Sequence, residues 1–170
     1  MDSVDRRLID ALRADGRASY AELSRIVGLS SSSVHERVAK LEASGVIQGY
    51  RAVVDPIKVG FGVTALVGIE PGETGDDEVI AAGLDAMPEV ESSYSVAGDQ
   101  AFIVKVRVAD IDALHRCLGR LRSIRGVART RTTVVLATRY EMRPHLLEPA
   151  APEQPVQSAD AAADQGSAVT

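Results

Sequence analysis

The residues of this chain best suited to chemistry follow Leu29, where four consecutive serines precede a run of charged side chains. Helix N-terminal amides and small hydroxyls bind phosphate closely. Arginine donates to guanine edges or phosphate, and glutamate accepts from the cytosine amino group. This set therefore indicates contact with double-stranded DNA. The candidate DNA-binding residues are Arg17, Tyr20, Ser30, Ser31, Ser32, Ser33, His35, Glu36, Arg37, Lys40 and Arg51.

Three predicted helices position these side chains. The first begins at Asp2-Ser3 and ends at Gly16, which we expect in a left-handed conformation. Ser19 and Glu22 form the capping-box pattern of a second helix. The stripes predicted to be buried are Val4, Leu8, Ile9 and Leu12 in the first helix and Leu23, Ile26 and Val27 in the second.

The third helix carries the serine run. Gly28 supplies a sharp turn before it, Ser30 caps it and Gly45 ends it, and a short basic strand or extended arm follows over residues 48–54. This order is the helix-turn-helix pattern, which places its last helix in the major groove. The alternative is that the polar residues are solvated positions of a surface helix. The predicted buried row is Val34, Val38 and Leu41.

Separated short motifs in this region resemble those of the Lrp/AsnC (feast/famine) transcriptional regulators. The resemblance reaches about residue 143 and omits only the tail. It implies a DNA-binding regulator whose second domain dimerises, assembles further and senses amino acids. The motifs are Asp15-Gly16-Arg17, Gly28-Leu29-Ser30, Arg37-Val38, Leu41-Glu42, Gly45-Val46-Ile47 and Gly49-Tyr50-Arg51-Ala52.

The net charge of −5 is unusual for a nucleic-acid binder. Four acids and no Lys or Arg lie after His145, and without them 19 basic residues face 20 acidic ones. Residues 1–51 hold eight Lys or Arg and seven Asp or Glu. Such a domain attaches weakly by electrostatics alone, so we expect several DNA-binding domains to act together in a dimer or larger assembly.

The rest of the chain predicts a second domain. Beyond a Pro- and Gly-containing linker at 55–62, the order is strand-helix-strand, strand-helix-strand. This predicts an α+β chain, with an N-terminal winged helix-turn-helix domain at 1–54 and a C-terminal ferredoxin-like βαββαβ domain at 63–145. Residues 146–170 are rich in Ala, Pro, Gln and Asp and are predicted to be disordered.

A sheet with both helices on one face leaves its second face uncovered, and two chains can bury those faces against each other. Our candidates for that face are Tyr94, Val134 and Leu136. The resemblance implies the same face-to-face homodimer, assembled further into a tetramer or octamer.

The resemblance also implies an amino-acid pocket at a contact between dimers. Gly98 allows close backbone approach, Asp99 can pair with an ammonium group, and threonines of the last strand offer hydroxyls. Family members commonly carry a second acid where this chain has Ala101, which leaves the ammonium to Asp99 or to main-chain carbonyls. The alternative is an ordinary hairpin turn beside a β-branched edge strand. The candidate effector-binding residues are Tyr94, Val96, Gly98, Asp99, Gln100, Ala101, Thr130, Thr132 and Thr133.

Other chemistry has weaker support. No metal-ligand spacing, Gly-rich phosphate loop or nucleophile motif occurs, so we predict no enzyme, no metal and no cofactor apart from the amino-acid effector. The single cysteine, Cys117, suits a reducing cytoplasm as a half-buried structural thiol. The absence of an apolar span of about 20 residues predicts no membrane contact. Eight arginines between residues 116 and 143 favour a solvated face or ion pairs between subunits over DNA wrapping.

Three functions remain open from the sequence. The first is a ligand-responsive transcription factor, and the second is an architectural DNA-binding protein without an effector. The third is an amino-acid-binding regulator of an enzyme. Ala101 keeps the second alternative open, but the near-neutral charge argues against it because indiscriminate coating relies on phosphate neutralisation.

Overall fold

The computed structural model describes residues 1–73, 75–143 and 147. The tail predicted to be disordered (146–170) therefore lies outside the described residues, except for Leu147. The chain splits into two compact units. The first holds Met1–Arg51 together with residues 142, 143 and 147, and the second holds Ala52–Glu141.

The first unit contains three helices: α1 (Ser3–Ala14), α2 (Tyr20–Val27) and α3 (Ser31–Ala43). The capping box predicted from Ser19 and Glu22 opens α2. Ser30 caps α3 by accepting a hydrogen bond from the amide of Ser33. Gly28 ends α2 with a φ of 78°, the left-handed conformation that the turn between α2 and α3 requires. These helix starts and this turn confirm the prediction.

The end of α1 differs from the prediction. Asp15 is the C-cap residue in extended backbone, and its amide donates to the carbonyl of Ala11. Because Asp15 already turns the chain away from the helix axis, Gly16 needs no left-handed conformation and takes no positive φ.

The buried rows of all three helices meet in the core of the first unit. Leu23 and Val27 of α2 pack with Leu8 of α1 and with Val34 and Val38 of α3, as predicted. Ile26 was predicted to belong to this core but is 45% exposed. It borders an open groove beside α1 whose wall carries the small side chains of Ala11 and Ala14, which leave Ile26 uncovered.

The segment after α3 is not the strand that we expected. Residues 48–55 belong to no helix or strand. Tyr50 holds this segment by donating its hydroxyl to Glu42 Oε1 at 2.9 Å. Partial burial and this hydrogen bond raise the pKa of Tyr50 to about 12. The arm is thus anchored to the last turn of α3 through a side chain, without a backbone ladder.

The second unit alternates strands and helices as predicted. Its elements are β1 (Val63–Pro71), α4 (Asp77–Asp85), β2 (Val90–Ser95), β3 (Phe102–Val108), α5 (Ile111–Ser123) and β4 (Val127–Val134). The strands form one antiparallel sheet in the order β2-β3-β1-β4, consistent with a ferredoxin-like fold.

One face of this sheet packs against the helices. Alternate residues of β1 and β3, including Val67 and Val104, are fully buried there with Ile80 of α4 and with Leu121 of α5. The predicted helix rows need correction at their outer edges. Helical spacing predicts Val79 and Ile111 on the buried sides of α4 and α5, but both are exposed. Cys117, predicted to be half-buried, takes the central inward position of α5 with no exposed surface.

The other face of the sheet is only partly covered by the described residues, because Glu141 binds Lys105 and Arg107, which lie on this face. Leu66 and Tyr94 are exposed there, and Tyr94 pairs with Ile103. Val134 was expected on this face, but it pairs with Ala65, a buried residue of the helix-covered face, and opposite residues of an antiparallel pair share a face. Leu136 lies beyond the end of β4 and is 97% exposed.

Candidate DNA interface and effector pocket

The outward surface of α3 is a row opposite its buried residues. Ser32, Glu36, Ala39 and Ala43 recur at helical spacing along this row, and all four are exposed. His35 and Lys40 flank the row, also exposed. A small central side chain with polar neighbours allows close approach to base-pair edges.

The serines at the start of α3 divide into two roles. Ser30 and Ser33 hydrogen-bond each other, with the Ser30 hydroxyl donating to Ser33 Oγ at 2.9 Å, and they form the cap. Ser32 Oγ lies 3.0 Å from Ser30 Oγ, and Ser31 is exposed at the first helical position. Ser31 and Ser32 are therefore placed beside the helix N-terminus, where phosphate binds favourably.

An aromatic contact fixes the edge of this surface nearest α2. The rings of Tyr20 and His35 lie edge to face with their centroids 5.0 Å apart.

Two further candidate DNA-binding residues lie outside the helices. Arg17 is exposed in the turn between α1 and α2, and Arg51 is exposed in the segment after α3.

Arg37 does not point outward with the other candidates. Its Nη1 lies 2.7 Å from an oxygen of Asp2 and 2.7 Å from an oxygen of Asp5. The hydrogen bonds to Asp2 and then to Asp5 raise the pKa of Arg37 above its usual value. The backbone hydrogen bond from Asp5, followed by the bond from Arg37, lowers the pKa of Asp2. Sequence spacing alone gave no sign of this pairing, because α1 and α3 are distant along the chain.

The second unit contains a pocket of about 210 Å³ at the turn between β2 and β3. It brings together four of the predicted effector residues, and four other residues complete its wall. Those predicted are Val96, Gly98, Asp99 and Gln100; the others are Glu70, Ala97, Ile103 and Arg131. The alternation of residues along β1, β3 and β4 was a signal for three of the missed ones, since Glu70, Ile103 and Arg131 all lie on the open face.

The remaining predicted effector residues do not line this pocket. Thr130 and Thr132 pair with buried residues of β1 and therefore lie on the helix-covered side, and Thr130 Oγ1 accepts from Nε of Arg122 at 3.2 Å. Thr133 lies on the open face opposite Leu66, and Tyr94 lies on the same face.

Ala101 has a structural place in the hairpin. Its amide donates to the carbonyl of Ile69 at 2.9 Å, and its carbonyl accepts from the amide of Val96 at 3.0 Å. Its methyl group packs against the core of the second unit. These bonds fix the turn that presents Gly98, whose φ is 142°.

Charges of both signs meet at the pocket. The Glu70 side chain is 17% exposed, and its oxygens lie 3.8 Å from Arg129 Nη1 and 3.8 Å from Arg131 Nη2. Both arginine side chains are more than two-thirds exposed, at 75% and 71%. Asp99 is exposed across the same pocket. This arrangement can hold a zwitterion, with a carboxylate at Arg131 and an ammonium group at Asp99 or Glu70.

Metal binding and membrane insertion were the two other possibilities raised by the sequence. Residues 1–73, 75–143 and 147 include no group of three or more His, Cys, Asp or Glu side chains arranged to hold a metal ion. Within those same residues, no helix combines the length and apolar character needed to cross a membrane.

Comparison with known proteins covers both units. A model of the AsnC-type helix-turn-helix domain matches residues 1–42, and a model of the Lrp/AsnC ligand-binding domain matches residues 63–144. The HTH-type transcriptional regulator LrpA of Mycobacterium tuberculosis is 44% identical over 146 residues, which are 86% of this chain and 97% of that protein.

Solved structures agree in fold and in sequence. A feast or famine regulatory protein from M. tuberculosis complexed with L-methionine has a TM-score of 0.81 and 44% identity, and the match covers 86% of this chain and 99% of that one. An L-methionine complex of a Neisseria meningitidis transcriptional regulator has a TM-score of 0.78 and 29% identity, with coverage of 83% and 93%. With its helix-turn-helix unit and its four-stranded α+β unit both matched, this chain belongs to the Lrp/AsnC family of transcriptional regulators.

Proposed function

We propose that this protein is a sequence-specific DNA-binding regulator of amino-acid metabolism whose DNA binding responds to an amino acid. The observation that carries the DNA-binding part is the outward row of α3, which presents Glu36, Lys40 and the Ser31–Ser32 pair around the small side chain of Ala39. DNA binding falls to residues 1–54. Assembly and effector binding fall to residues 63–145, joined to the first domain by residues 55–62.

Within the DNA complex, different side chains have different tasks. Ser31, Ser32 and Lys40 bind phosphates and fix the register of α3 in the major groove. Glu36 and His35 face base edges, where Glu36 accepts from a cytosine amino group. Arg17 and Arg51, exposed on either side of the helices, add phosphate contacts. The protein acts in the cytoplasm, where its DNA target lies, and as a regulator rather than an enzyme.

The effector is an amino acid bound at the pocket between β2 and β3. Two relatives are known as complexes with L-methionine, and this pocket supplies Arg131 for a carboxylate and Asp99 for an ammonium group. Calorimetry across the common amino acids tests this. Asp99→Asn and Arg131→Gln should each weaken binding, whereas Thr130→Ala, on the covered face, should not. Absence of heat from every amino acid with the wild-type chain would overturn the proposal.

Self-association accompanies both activities. The open face of the sheet carries exposed Leu66 and Tyr94, so two chains that bury these faces form a homodimer, and dimers assemble into a tetramer or octamer. Light scattering of the purified protein, with and without the amino-acid panel, measures the assembly. A lone subunit at all concentrations would contradict it.

A second candidate function is architectural DNA binding without an effector. Ala101 favours it, because its side chain packs in the core and offers no charge to an ammonium group. Binding to the protein's own upstream DNA and to random DNA, titrated with salt and with amino acids, separates the two. A regulator prefers the upstream DNA and responds to an amino acid, whereas an architectural protein does neither.

A further inference from the structure

Two carboxylates converge on one nitrogen atom of Arg37. Nη1 donates to Asp2 Oδ2 and to Asp5 Oδ1, each at 2.7 Å. Both acids are at the start of α1, whereas Arg37 lies in the middle of α3. The Asp5 side chain is only 15% exposed. The contact therefore joins the N-terminus of α1 to the flank of the helix that carries the candidate DNA-binding row.

The same two acids also form the capping box of α1. Asp2 Oδ1 accepts from the amide of Asp5 at 2.8 Å, and Asp5 Oδ2 accepts from the amide of Asp2 at 2.9 Å. Each carboxylate thus uses one oxygen to cap α1 and its other oxygen to hold Arg37. Because the cap holds both carboxylates in place, the position of Nη1 is tied to the backbone of α1.

Lys40 provides the contrast one turn further along α3. It is exposed, and the described residues include no ion pair to it. A free lysine gains a phosphate at small cost, whereas Nη1 of Arg37 is already bound by two carboxylates.

We propose that Arg37 is a positioning residue for DNA binding: held by Asp2 and Asp5, it sets the orientation of α3 on α1 and does not contact DNA itself. Arg37 therefore affects DNA affinity indirectly, by setting the orientation in which Ser32, Glu36 and Lys40 meet the groove.

The salt dependence of DNA binding by the full chain tests this proposal. Lys40→Gln should lower affinity and reduce the slope of log affinity against log salt by about 0.9, the value for one lost phosphate contact. Arg37→Gln should lower affinity and leave that slope unchanged. A slope reduced in Arg37→Gln as in Lys40→Gln would overturn the proposal.

Substitution of Asp2 and Asp5 gives a second, independent test. The resulting change in DNA affinity has opposite signs if Arg37 positions α3 and if Arg37 contacts phosphate. The double variant Asp2→Asn/Asp5→Asn keeps hydrogen-bond acceptors for the cap but removes both charges. The matched control, Asp10→Asn/Asp15→Asn, removes two charges elsewhere on α1 and its C-cap. If Arg37 is a positioning residue, the first double variant binds DNA more weakly than the control. If Arg37 contacts phosphate, releasing it makes that variant bind more tightly than the control.

A triple variant completes the experiment. Asp2→Asn/Asp5→Asn/Arg37→Gln should bind DNA no more weakly than Arg37→Gln alone, because asparagine keeps the acceptors of the cap and the lost charges affect DNA binding only through Arg37. An additive loss would contradict the proposal. Thermal unfolding of each variant verifies that it is folded at the assay temperature, and if Arg37→Gln does not fold, the sign of the double-variant effect decides the question.

Discussion

The side-chain amide of Gln100 lies directly over Gly68: a Cβ atom on Gly68 would be 2.3 Å from both Cδ and Nε2 of Gln100. Gly68 is in the middle of β1, on the open face and opposite Arg131. The absence of a side chain there lets Gln100 lie flat on the sheet as one wall of the pocket.

Gly68→Ala should therefore change the pocket more than the fold. The new methyl group displaces the flexible end of Gln100 toward the space for the effector, and we expect several-fold weaker amino-acid binding with a change in unfolding free energy of about 0.5 kcal/mol or less. Calorimetry and urea unfolding measure the two quantities. In a Gln100→Ala background, Gly68→Ala should have no further effect on binding; an equal loss in that background would show that Gln100 is not the cause.

The cap of α2 gives a prediction about stability. Ser19 accepts from the amide of Glu22, and the Glu22 side chain accepts from the amide of Ser19 at 2.7 Å. Ser19→Ala removes the side-chain acceptor and should lower the free energy of unfolding by about 1 kcal/mol. Ser31→Ala, at an exposed first-turn position of α3, is the control and should change it by less than about 0.5 kcal/mol. Equal effects in urea unfolding would refute the role of the cap.

Much of this fold follows from local patterns in the sequence. Capping residues such as Ser19 and Ser30 and the left-handed Gly28 are decided by neighbours within a few positions, and they were predicted correctly. The alternation of apolar residues along β3 likewise agrees with its burial, since Phe102 and Val104 are buried and Ile103 between them is less so. Elements whose identity is fixed by contacts within a few residues can be predicted from the sequence.

The wrong predictions concern residues whose burial or partners depend on segments distant in the sequence. Ile26 satisfies the helical spacing of a core residue, but the small side chains of α1 leave it uncovered. Val134 was given the wrong face because strand register, set by pairing with Ala65, is not visible in the alternation of β4 alone. The candidate sites show the same limit, since Arg37 meets Asp2 and Asp5 only after α1 and α3 pack together.

Glu141 gives a prediction about pH. Its carboxylate is bound by Lys105 and Arg107, and the hydrogen bond from Lys105 lowers its pKa below the ordinary 4.5. The ionised carboxylate therefore stabilises the folded chain above pH 4.5, and this contribution is lost as the pH falls through the lowered folded-state pKa.

The comparison of wild type with Glu141→Gln measures that contribution. Urea unfolding should show the wild type as the more stable chain at neutral pH. The difference in unfolding free energy between the two chains should shrink progressively as the pH falls below 4.5. Glu36→Gln, on the exposed row of α3, is the matched control and should show little difference at any pH. A constant difference between wild type and Glu141→Gln would contradict the assignment.

Cys117 should be unreactive in the folded chain. It has no exposed surface, so a reagent cannot reach the sulfur. Burial also raises the pKa of its thiol, so the reactive thiolate form is rarely populated. A chromogenic disulfide reagent should label the native protein very slowly and label the urea-unfolded protein at once. Native labelling at the rate of free cysteine would show that α5 opens readily.

The most direct test of the account is selection of binding sites from random DNA by the full chain, its Glu36→Gln variant and its Arg13→Gln control. If the outward row of α3 reads base-pair edges, Glu36→Gln changes the preferred base at a defined position of the selected site, while Arg13→Gln, on α1, leaves the site unchanged. If the wild type and Glu36→Gln select the same sequence, or if the wild type selects none, the outward row of α3 does not read base-pair edges.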